Sequence, residues 1–88
     1  MAIYFHPAAS KHGISHAQIR RVIETCVCPL YSDEPDEEDL VIYLGPDEHG
    51  VPLEVVAVEL EDEGLLVIHA MKLRRKYESA YKKVMECR

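Results

Sequence analysis

The chain predicts an α+β domain: an N-terminal helix, a three- to four-stranded antiparallel sheet and a basic C-terminal helix. Three observations carry this: an amphipathic helical stretch near the start, three apolar runs separated by short acidic turns, and a basic amphipathic stretch at the end. With 88 residues it forms a single domain over 1–88, large enough for one modest core. There is no internal repeat and no linker.

The first helix runs from Ser15 to Val27. Ser15 is a good N-cap and Gln18 follows three residues later, the spacing of a capping box, while Ile14 and Ile19 suit a hydrophobic staple. Ile19, Val22, Ile23, Cys26 and Val27 keep helical spacing, so Arg20, Arg21 and Glu24 face water, and Pro29 ends the element. Ahead of it, the segment from His6 to His12 suits a short helical turn closed by Gly13. The stretch from Ser32 to Asp39 has too many like charges to pack and reads as a loop.

Strands are expected at Leu40–Leu44, Pro52–Leu60 and Leu65–Met71, with turns at 45–50 and 61–64; such short connections imply an antiparallel meander. The helices should pack on one face of this sheet and leave the other for a site. Alternation in the last strand would put Leu65, Val67, His69 and Met71 on one side and Leu66, Ile68 and Ala70 on the other. Both sides are apolar apart from His69, which makes this a central strand. The last helix begins near Leu73, with Leu73, Tyr77, Ala80, Tyr81 and Val84 on one stripe.

The net charge is −6, but the charges are segregated: residues 1–31 carry +2, residues 32–64 carry thirteen acids and no lysine or arginine, and residues 65–88 carry +5. A polyanion would approach only the face built from the two ends of the chain, and the acidic middle would attract a basic partner. No apolar run has bilayer length and the start lacks the pattern of a secretory signal, so the reading is a cytoplasmic protein with no membrane association. Cys26 and Cys28 are one residue apart and the cysteine count is odd, which suits reduced thiols better than a disulfide framework.

The chemistry concentrates where the last strand runs into the basic helix. Cleavage of RNA needs a base for the 2′-hydroxyl, an acid for the leaving oxygen and cations for the charge on phosphorus. His12 and His69 with Lys72 would supply the acid–base chemistry, and Lys11, Arg74, Arg75 and Tyr77 would hold phosphate and a base. The competing reading is structural: a half-buried strand histidine, a histidine bonded to backbone at a helix entry, and tyrosines at core spacing. No pair among His6, His12, His16, His49 and the cysteines has a recognised metal spacing on one element, so no metal and no other cofactor is expected.

The entry Lys11-His-Gly-Ile-Ser15, the Leu44-Gly45 step and Val67-Ile-His-Ala-Met-Lys72 before a basic helix reaching Tyr81 resemble the BrnT-like toxins of bacterial toxin–antitoxin systems, within the RelE superfamily. The resemblance covers nearly the whole chain in element order, and Lys11, His12, Gly13, Ile68, Ala70, Lys72 and Tyr81 match the family pattern. His69 stands where that family usually has serine, and Met71 where it usually has arginine. The resemblance implies a metal-independent endoribonuclease that arrests growth. It also implies a cognate DNA-binding antitoxin, of ribbon-helix-helix or helix-turn-helix type, and a higher-order toxin–antitoxin oligomer. The rival reading is a non-enzymatic interaction module, or a degenerate toxin, that grips a basic protein through residues 33–39 and 59–63. A third is an acidic mimic of nucleic acid, which the basic helix speaks against.

Overall fold

The computed structural model describes residues 2–32, 34–37 and 39–87; Met1 and Arg88, and Asp33 and Glu38 of the expected acidic loop, lie outside the described residues. The chain runs β1 (Ile3–Phe5), a 3-10 turn (Pro7–Ser10), α1 (His16–Thr25), β2 (Leu30–Tyr31), a 3-10 turn (Pro35–Glu37), β3 (Leu40–Pro46), β4 (Pro52–Glu59), β5 (Leu65–Lys72), a 3-10 turn (Arg75–Tyr77) and α2 (Glu78–Glu86). The α+β class holds. The sheet is larger than expected and mixed: its order is β1-β5-β4-β3-β2, with β1 parallel to β5 and the other pairs antiparallel. The two extra strands are three and two residues long, too short for alternation to reveal in the sequence.

α1 forms where the sequence places it. Ser15 Oγ accepts from the Gln18 N–H at 3.1 Å and Gln18 Oε1 accepts from the Ser15 N–H at 2.9 Å, completing the capping box. The helix ends at Thr25, because Cys26 is already extended and carries the chain toward β2. Ile19, Val22 and Ile23 pack with Val41, Tyr43, Leu53, Val55, Ala57, Leu65, Val67 and Ala70, the inward row of the sheet. α2 starts later than expected, at Glu78. The Leu73 N–H is taken by Pro52 and the Arg74 N–H by Glu54, and Arg74 itself is extended. These bonds hold residues 73–74 as a continuation of the strand.

The helices do not share a face. α1 covers the row with Val41, Val55 and Val67, whereas α2 contacts β3 and its Ala80 and Val84 border Leu30, which pairs with Ile42 on the opposite row. α2 leaves part of this second face open.

The alternation expected in β5 also fails, and a bulge is the reason. His69 pairs with Val56 and Val67 pairs with Ala57, so Ile68 is an extra residue with no partner on β4. Leu65, Val67 and Ala70 therefore point into the α1 core, while Leu66, His69 and Met71 share the other face with Glu54 and Val56. β5 is the central strand the sequence implies, between β1 and β4.

Candidate functional site

β4 contributes the residue around which the open face is organised. Glu54 lies in an otherwise apolar strand and is fully buried, with a relative exposure of 0%. A carboxylate in such a place persists only with partners for its lone pairs. Arg74 supplies most of them: its backbone N–H donates to Oε1 at 2.8 Å, and its Nε and Nη2 donate to Oε2 at 2.9 and 2.6 Å. His69 Nε2 completes the shell at 3.2 Å from Oε2.

The charges follow from this packing. Burial alone would raise the Glu54 pKa, but the Arg74 side-chain and backbone bonds, with the nearby Arg74 and His69 charges, bring it below the ordinary 4.5. The His69 pKa falls below 6.5, first because burial penalises the imidazolium and next because of the Arg74 charge; Glu54 opposes the shift without reversing it. A neutral His69 beside an ionised Glu54 puts its proton on Nε2 as the donor and leaves Nδ1 as a lone-pair acceptor. Among the described residues, Nδ1 has no hydrogen-bond partner.

His12 joins this face from another element. β1 pairs with β5 only along Leu65–Val67, so the 3-10 turn after β1 packs beside the rest of β5, and the chain then turns at Gly13, whose φ of 75° suits glycine. The His12 ring meets that of His69 edge-on, with centroids 5.7 Å apart. Tyr77 lines the same hollow as His69 and Arg74, floored by Leu40, Ile42 and Val56. Arg74 and Lys76 lie over the Tyr77 ring at 5.7 and 5.1 Å from its centroid, a cation–π arrangement.

Of the residues expected to form a site, the structure brings His69, Arg74 and Tyr77 into one hollow and sets His12 against His69. Lys72 is not with them. It pairs with Leu53, on the row opposite His69, and borders a separate groove with Glu78, Tyr81 and Lys82. The strand period separates it: His69 and Lys72 are an odd number of residues apart beyond the bulge and so point to opposite faces. Lys11 and Arg75 are exposed, beside His12 and at the start of the last 3-10 turn respectively. Glu54 is the residue the sequence reading missed. Its signal was a lone carboxylate inside the apolar run from Leu53 to Val58.

Among the described residues, no group of three or more His, Cys, Asp or Glu side chains is placed to hold a metal ion, and no helix is long and apolar enough to cross a membrane. No protein-family model, curated protein or solved structure matches this chain.

Proposed function

We propose that the chain is an endoribonuclease toxin of the BrnT type, working on RNA with two imidazoles and restrained by a basic, DNA-binding antitoxin. One observation carries the reading: His12 and His69, from opposite ends of the sequence, stand 5.7 Å apart on an open sheet face beside a guanidinium. His69, neutral near pH 7, is the base that takes the 2′-hydroxyl proton. Glu54 fixes its orientation and tautomer, as a carboxylate does for a catalytic histidine elsewhere. His12 is the acid that gives a proton to the leaving 5′-oxygen as the 2′-oxygen closes on phosphorus, leaving a 2′,3′-cyclic phosphate and a free 5′-hydroxyl. The Arg74 N–H groups not engaged by Glu54, with exposed Arg75, stabilise the charge on the phosphoryl oxygens. Lys72, on the other row, has no part in this chemistry.

A second reading rests on Glu54 itself. One carboxylate holds both His69 and Arg74, as a purely structural lock would, and an interaction module with an acidic surface would need nothing more. The purified wild type, His12→Ala and His69→Ala proteins, each shown folded by circular dichroism, separate the two when incubated with RNA. The nuclease reading expects cleavage by the wild type and a loss of roughly 100-fold or more in each variant. A folded wild type that leaves RNA intact, or variants that cleave as fast as it does, would overturn that reading and favour the module.

A further inference from the structure

The far end of α2 meets the segment that follows α1. Cys87 is the exposed C-cap residue of α2, and Cys28 lies half-buried in the turn between α1 and β2. Both line one hollow, with Leu30, Ala80, Lys83 and Val84 around them. The neighbouring Cys87 thiol, with partial burial and the nearby Cys26 sulfur, raises the Cys28 pKa above the ordinary 9.0. Cys28 therefore holds its proton more firmly than an ordinary thiol. Cys26 takes another direction and packs against the α1 core.

We propose that Cys28 and Cys87 form a two-electron redox site, a dithiol that a hydroperoxide converts to an intramolecular disulfide fastening the end of α2 to the α1–β2 turn. The exposed Cys87 sulfur attacks first, as thiolate. An S–O bond forms, the peroxide O–O bond breaks, and the departing hydroxide takes a proton to become water, leaving a sulfenic acid on Cys87. The Cys28 sulfur then attacks the sulfenic sulfur; the S–S bond forms, the S–O bond breaks, and the second water leaves with the Cys28 proton. Two thiols and one hydrogen peroxide give one disulfide and two waters, the sulfurs losing two electrons and the peroxide oxygens gaining them.

The link would enclose residues 28–87, a loop that contains four of the five strands and α2. Long loops gain most from closure, so the melting temperature should rise by roughly 10 °C. The same α2 follows directly on the Arg74–Tyr77 wall of the histidine face, so the bond would also restrain that wall from its far side. The site rests on the dithiol alone and stands whether or not the chain cleaves RNA.

The test uses the reduced full chain treated with hydrogen peroxide and read by intact-mass and non-reducing peptide mass spectrometry. The expected product is a monomer lighter by about 2 Da, the mass of the two hydrogens lost on forming a disulfide. It should carry a Cys28–Cys87 linked peptide and a raised melting temperature that dithiothreitol reverses. Cys26→Ser should behave as the wild type, and Cys28→Ser and Cys87→Ser should each fail to lose that mass. A link through Cys26, a dimer joined through Cys87, oxygen addition to both thiols without a link, or a link that lowers the melting temperature would overturn the proposal.

Discussion

Glu54 and Arg74 are joined twice, once through the Arg74 backbone N–H at 2.8 Å and once through its guanidinium at 2.6 and 2.9 Å. The pair fixes the point at which β5 gives way to the helical turn, and so fixes Arg74 and Tyr77 relative to His69.

Removing the acid should therefore unsettle the junction. Glu54→Ala strands a donor cluster at a buried position, and breaking such a pair costs about 3–5 kcal/mol when both ions are buried. Arg74 keeps 40% of its side chain exposed, so we expect about 2–3 kcal/mol, read from urea unfolding midpoints. Glu54→Leu combined with Arg74→Leu should recover part of that loss. Recovery is incomplete because the Arg74 N–H then lacks its acceptor.

Stability should fall with acid in two stages. His69 has a folded pKa below its ordinary 6.5, so its stabilisation is whole above that pH and is lost as pH falls from 6.5 through the folded value. Glu54, also lowered, holds its contribution above 4.5 and loses it as pH falls through its own folded value. Unfolding midpoints taken from about pH 8 to about pH 3 should show both stages. His69→Ala should abolish the upper stage only, and a variant that keeps it would assign the upper titration to another group.

Ile68 offers an unusual deletion. It is the extra residue of the bulge, so removing it leaves Leu65–Val67 and His69–Lys72 paired with the same β4 residues and His69 still beside Glu54. The shortened protein should fold, with a loss of about 1–2 kcal/mol in denaturant unfolding. An unfolded product would mean that β5 needs the bend the bulge supplies.

Ser15→Ala removes an acceptor that α1 uses at its first turn. The Ser15 Oγ bond to the Gln18 N–H is 3.1 Å, and the loss of such a cap costs about 1 kcal/mol in chemical denaturation. The effect should be confined to stability, since α1 lies on the face opposite His69.

Part of the molecule is legible from local rules. The capping box at Ser15, the turn closed at Gly13, the three long strands and the central place of β5 all follow from signals within a few residues of one another. The two short edge strands do not, because pairing with β5 and β3 makes them strands rather than their own composition. The sites divide the same way. His69 drew notice as the one polar residue of an apolar strand, while Glu54, in the same situation one strand earlier, needed its partners to give it meaning.

The sequence by itself determined the α+β class, the start of α1, the three long strands and the segregation of charge, because these depend on periodicity, capping and composition. Only the tertiary structure decided which side chains meet. The Ile68 bulge turns His69 toward Glu54, the parallel pairing of β1 with β5 delivers His12 beside it, and the strand period sends Lys72 to the other side. Register across strands is set by contacts between residues distant in the chain, and no local pattern carries that information.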